Sequence, residues 1–219
     1  MKNKLFFLSI ALIVFNACKK AEIIEAPTTN NNFWEIKNKN TRPVKVNWEQ
    51  YENDSIKLKT PSGWEIEKSK DAWMFFTYAA KNPKLYFSIM KYNVAEVNLN
   101  AEEYLIEGFK QLSDKIDTFH YILKKLSFAN GTNGYLLTIF TKENNRNYIT
   151  YDLVYQPENI IYEFSFKTLD IQKSNELNYR KFFLIVQSFE VNNDLIIDGS
   201  KFVVNGEEEI KFEDLYNIK

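Results

Sequence analysis

Hydrophobic and polar residues alternate along much of this chain, and two stretches switch to helical spacing. Val44, Val46 and Trp48 alternate with Lys45, Asn47 and Glu49, the period of a strand with one covered face. Ile56-Lys57-Leu58-Lys59-Thr60 repeats that period and runs into Pro61-Ser62-Gly63-Trp64. There Pro fixes φ and Gly admits positive φ, which predicts a turn. Alternation resumes over Trp64 to Glu67. Ala72 to Ala80 and Leu85 to Tyr92 are almost continuously apolar and aromatic, which predicts two inner strands joined by a turn at Lys81 to Lys84. Leu105, Phe109, Leu112 and Ile116 then fall on one face of a helix. Asn100 as N-cap and Glu103 three residues on supply a capping box. Four more strands are predicted over Phe119–Phe128, Tyr135–Lys142, Asn147–Tyr155 and Ile160–Lys167, each break carrying Gly, Asn or Pro. A second helix runs from Ile171 to Gln187 with Tyr179, Phe182, Phe183 and Val186 as its stripe, and Ser188 to Val191 closes the core.

These elements predict an α+β domain over residues 44–191. Its frame is an antiparallel β-sheet of about six to seven strands with two main helices packed on it. Residues 192–219 form a C-terminal extension. Within it, 201–212 are expected to make a β-hairpin through a type I′ turn at Asn205-Gly206, placed to add an edge pair or to pack on the domain. No internal repeat is visible.

The one long apolar run stands outside this domain. Lys2 and Lys4 precede Leu5 to Phe15, a run broken only by Ser9. It is shorter than the ~20 apolar residues of a membrane span and fits a cleavable signal peptide over 1–17. Asn16-Ala17-Cys18 follows, and Cys18 is the only cysteine. This ending resembles a bacterial lipobox, with Asn16 departing from the usual small residue. The resemblance implies cleavage before Cys18 and lipidation of it by diacylglycerol and an amide-linked acyl chain such as palmitate. The ordinary alternative is a secretory signal that leaves a free thiol. Residues 18–43 are polar, with Pro27 and an Asn run, and read as a lipidated tether with roughly 30 Å of reach. The absence of Asp after Cys18 is similar to outer-membrane sorting in enteric bacteria.

Composition then removes function classes. The formal net charge is −1 and loss of Lys2 and Lys4 makes the chain more acidic, so nucleic acid has no electrostatic footing. His120 is the only histidine, which leaves no zinc-binding His cluster and no G-x-S-x-G-supported triad. No catalytic residue, metal site or cofactor is indicated. Carboxylates at Glu207-Glu208-Glu209 and Glu213-Asp214 read as a solvated acidic hairpin rather than a glycosidase pair. The aromatic share is 16%, and most of it is core. Surplus rings on the last strands, Tyr148, Tyr151 and Tyr155, are expected to line a groove for a ligand or partner. Full burial of all three would contradict that. Asp54-Ser55-Ile56 resembles a Bacteroidetes O-glycosylation site, with Ser55 as the acceptor.

The element order also resembles the PsbP-like (PsbP/Mog-type) superfamily. Ile56 to Trp64 stands as an opening apolar-x-apolar-x-x-P-x-G-W, and Ile185-Val186-Gln187-Ser188-Phe189 as a closing I-x-x-S-F. The resemblance spans roughly residues 44–191. It implies an antiparallel sheet with helices on its faces and a mostly non-enzymatic role in binding, assembly or stability. It transfers no functional residues, and Trp64 is expected to be a core anchor. The functional expectation is a membrane-anchored envelope lipoprotein, held by lipid on Cys18 and meeting a protein partner there. The alternatives are a binder of small hydrophobic ligands or peptides through the aromatic groove, and an enzyme with an unrecognised site.

Overall fold

The computed structural model describes residues 46–53, 55–79, 84–114, 120–128, 131–197 and 204–215. The export segment 1–17, Cys18 and the tether to 43 lie outside the described residues, as does Ile116. The strands are β1 (Trp48–Asn53), β2 (Ile56–Pro61), β3 (Glu65–Ile66), β4 (Met74–Thr77), β5 (Tyr86–Asn93), β6 (His120–Phe128), β7 (Asn133–Glu143), β8 (Arg146–Tyr155), β9 (Ile160–Leu169), β10 (Glu190–Val191), β11 (Asp194–Leu195) and β12 (Val204–Ile210). The helices are α1 (Ala101–Ser113), α2 (Gln172–Gln187) and the single turn α3 (Phe212–Leu215). The class is mixed α+β, with two antiparallel sheets and two main helices.

One sheet has eight strands in the order β12-β6-β7-β8-β9-β5-β4-β3, and the second has four in the order β1-β2-β10-β11. This is more extensive than a single sheet of six to seven strands. The reason lies in the ends of the chain. β1 pairs with β2 and β2 with β10, and the chain enters the main sheet only after the turn that follows Pro61, where Gly63 takes φ +82. β12 returns from the C-terminal extension to flank β6. The meander β6 to β9 forms as expected from its turn residues. Asn144 and Asn145, both at positive φ, close the β7–β8 hairpin, which is the conformation a two-residue I′ turn demands.

Asn205-Gly206 does not turn. The C-terminal hairpin expected there is replaced by a continuous strand, β12, with a register shift between Val204 and Gly206. Gly in a strand often marks such a bulge. The hairpin of this region lies earlier, between β10 and β11, with Asn192 and Asn193 at positive φ.

Side chains on a strand point alternately to opposite faces, and the eight-stranded sheet is covered on both. On one face, Phe87, Ile89, Phe164, Phe166, Tyr151 and Leu153 pack against Phe182, Phe183 and Val186 of α2, Phe189, and Ile56 and Leu58 of the small sheet. Trp64 is a core anchor here, stacked on Tyr78 at 5.1 Å and against Phe166 at 5.7 Å. On the other face, Leu123, Tyr135, Leu137, Ile139, Val154 and Ile161 pack against Leu105 and Leu112 of α1 and Phe212 and Leu215 of α3. The predicted capping box starts α1. Asn100 Oδ1 accepts from the Glu103 amide at 2.8 Å, and the Glu103 carboxylate accepts from the Asn100 amide.

Candidate functional site

The α1 face of the sheet is not apolar throughout. The strands at its centre put polar residues where a core would ordinarily continue. β8 directs Tyr148, Thr150 and Asp152 to this face, and β9 directs Glu163, Ser165 and Lys167 to it. Asp152 stands opposite Ser165, Thr150 opposite Lys167 and Val154 opposite Glu163. β5 adds Tyr86 and Ser88, opposite Lys167 and Ser165, and β7 adds Thr141 and Glu143. This row is enclosed, with Asp152 and Glu163 each 1% exposed and Lys167 2% exposed. Glu163 is tied to α1 by the Tyr104 hydroxyl, which donates to its Oε2. A second tie runs from the Tyr135 hydroxyl on β7 to Glu102 in the first turn of α1.

The charges arrange themselves into two groups. In one, Lys167 Nζ donates to Glu143 Oε1 at 2.7 Å, Lys84 pairs with the same carboxylate, and Lys167 Nζ sits 5.0 Å from the centre of the Tyr148 ring. Burial alone would raise the Glu143 carboxyl, but Lys167 and Lys84 together hold it below its ordinary value. Burial pushes the Lys167 ammonium down, and Glu143 opposes that shift. In the other group, Asp152 and Glu163 are diagonal neighbours on adjacent strands, a spacing of roughly 7–8 Å in an antiparallel pair. Burial pushes Asp152 up to about 7, against the Ser165 hydroxyl and Lys167. Burial, and then the charge of Asp152, push Glu163 up to about 8, against the Tyr104 hydrogen bond. Asp152 Oδ1 and Ser88 Oγ make no hydrogen bond.

The electrostatic balance follows from these shifts. Lys167 and the partly exposed Lys84 both pair with Glu143, so the Asp152–Glu163 pair avoids buried charge by holding protons instead. An unbalanced charge here would be costly, because a buried ion keeps its charge only when paired. The pair therefore holds a proton more firmly than exposed carboxylates do. It offers no set of three metal-ligating side chains, nor does any other group among the described residues.

The residues singled out from sequence are placed as follows. Tyr148, Tyr151 and Tyr155 are 3%, 4% and 4% exposed, so the expected aromatic groove is overturned. They do not even share a face. The even-numbered Tyr148 joins the polar row, while Tyr151 stacks on Phe182 at 6.0 Å and Tyr155 packs edge-on to Phe128 at 5.5 Å beneath the opposite cover. Both faces of these central strands are covered, and a covered face uses such rings as core. His120 is half-buried on β6, 5.4 Å from the Phe140 ring, and its Nε2 makes no hydrogen bond. Ser55 is exposed in the β1–β2 turn, accessible to a modifying enzyme, and Cys18 is outside the described residues. Asp152, Glu163, Lys167 and Glu143 were not singled out. Glu163 and Lys167 stand in Tyr162-Glu163-Phe164-Ser165-Phe166-Lys167, but alternation of that kind ordinarily marks a solvated polar face.

No family model matches the sequence, and no curated protein matches it. Solved structures do resemble the fold. The cyanobacterial PsbP protein (CyanoP) of Synechocystis aligns with a TM-score of 0.48 at 14% identity, over 68% of this chain and 94% of that one. LpqN of Mycobacterium tuberculosis, described as involved in cell envelope biogenesis, aligns with a TM-score of 0.38 at 12% identity, over 72% of this chain and 94% of that one. A Bacteroides thetaiotaomicron protein aligns with a TM-score of 0.37 at 16% identity, over 62% of this chain and 44% of that one.

Proposed function

We propose that this protein is a membrane-anchored, non-catalytic envelope lipoprotein with a PsbP-like domain that works by binding, as an assembly or stability module. The observation that carries this reading is the position of Cys18, the only cysteine, directly after the only long apolar run. The structure supports the non-catalytic part in one respect. Asp152, Glu163 and Lys167 are 1–2% exposed and Glu143 7%, so these converging groups set the charge balance of the interior rather than face a substrate. Lipid on Cys18 would confine the domain to one membrane face, the outer membrane by the sorting likeness. That raises its effective concentration toward neighbours in the same membrane without any new contact. Crosslinking in the native envelope tests the reading. The wild type is expected to yield a defined protein adduct that Cys18→Ala loses. Equal adducts from both, or none from either, would contradict it.

A further inference from the structure

β12 covers an edge that the rest of the main sheet leaves open. β6 is nine residues long, and β7 pairs with only one of its sides. Its other side would present a row of unpaired N–H and C=O groups, a template for any extended chain. β12 fills that side antiparallel, from Val204 opposite Phe128 to Ile210 opposite Leu123. The fit is matched in charge. Glu208 stands opposite Lys125 and Glu209 opposite Lys124, while Lys124 forms its ion pair with Glu207 on the diagonal. The strand ends in an apolar plug: the Phe212 ring lies on Phe109 of α1 at 3.7 Å and edge-on to Tyr121 at 5.3 Å.

Two features make this cover exchangeable. Glu208 and Glu209 are exposed, and attraction between exposed charges adds little, so the charge match rests on the one Lys124–Glu207 pair, 18% and 10% exposed. The ladder of β12 is also broken by the register shift between Val204 and Gly206. Main-chain pairing, the Lys124–Glu207 pair and an apolar plug of Phe212 and Leu215 therefore hold the strand, the same kinds of contact by which a separate strand adds to a sheet edge.

We propose that the outer edge of β6 is a docking site for an extended acidic segment of a partner protein, occupied in cis by β12. The partner would place carboxylates opposite Lys124 and Lys125 and an aromatic side chain in the position of Phe212. This deepens the binding reading above and rests on it. It is testable without the lipid, so the two can fail separately.

The test uses the full chain carrying Cys18→Ala and a fluorescent peptide of residues 204–215 as the probe. Phe212→Ala weakens the cis plug and is expected to raise probe affinity at least about tenfold, since a buried ring is lost from the competitor alone. The pair Lys124→Glu and Lys125→Glu is expected to abolish uptake, and a probe with lysines at 207, 208 and 209 is expected to restore it. Hydrogen exchange on the chain without further substitution is a second readout. The amides of β12 are expected to exchange ahead of those of β7 to β9. Equal probe uptake by all variants, no uptake by any, or exchange of β12 only with the whole sheet would overturn the proposal. So would concentration-dependent dimers of Phe212→Ala without probe uptake, which would assign the edge to a second copy. Envelope crosslinks that survive Lys124→Glu and Lys125→Glu would overturn this edge while leaving the binding reading standing.

Discussion

Replacing Glu163 by Gln tests the enclosed proton directly. The amide keeps an oxygen to accept from the Tyr104 hydroxyl and nearly the same volume, so the change removes a titration and little packing. Burial raises both the Asp152 and the Glu163 carboxyl well above their ordinary values of 3.8 and 4.5. Their folded-state values are raised, so the native protein holds protons that the unfolded chain has released. Their contribution is complete below the ordinary values and is lost as pH rises through the folded ones. Between the ordinary values and the raised ones the folded protein holds protons that the unfolded chain has lost, so stability falls by roughly 1 kcal/mol per pH unit for each group so held. Glu163→Gln leaves only Asp152 to titrate and flattens that slope. Urea unfolding at pH 5.5, 6.5 and 7.5 measures it. The variant is expected to lie closest to the wild type at pH 5.5 and to exceed it by a growing margin, a few kcal/mol by pH 7.5. Parallel stability profiles for the two proteins would refute the enclosed, shared proton.

Two further substitutions probe the same face and its neighbour. Lys167→Met strips Glu143 of its buried partner at 2.7 Å and removes the cation that moderates Asp152. A loss of about 3 kcal/mol at pH 7 is expected in urea unfolding; no loss would mean that Lys84 alone neutralises Glu143. Gly134→Ala would put a Cβ 2.9 Å from the Phe128 ring. It should cost about 1–3 kcal/mol, and Phe128→Leu in the same chain should recover part of that, a non-additivity read from a double-mutant cycle.

The outline of this fold was legible where local chemistry decides the backbone. The Asn100–Glu103 capping box sets the start of α1 because its two hydrogen bonds form within four residues. Asn144 and Asn145 close a hairpin for an equally local reason. Asn205-Gly206 shows the limit of that logic. The dipeptide suits a tight turn and a bulged strand alike, and the free edge of β6, more than 70 residues earlier in the chain, decides between them. Tyr148 was grouped with Tyr151 and Tyr155 by nearness in sequence, although their parity places them on opposite faces. The polar row was illegible for another reason. Glu163, Ser165 and Lys167 alternate with aromatics just as residues of a solvated face do. Only the arrival of α1, with Tyr104 reaching Glu163 across 59 residues, makes that face an interior. Burial of charge depends on what covers a strand, and no local pattern carries that information.

Cys18, the only cysteine, carries the proposed anchor. Metabolic labelling with an alkyne fatty acid, followed by membrane fractionation, compares the wild type with Cys18→Ala. The wild type is expected to carry the label and to sediment with the outer membrane, and Cys18→Ala to be unlabelled and released. Identical labelling and fractionation of the two proteins would contradict the anchor, and with it the reading of this domain as a tethered binding module.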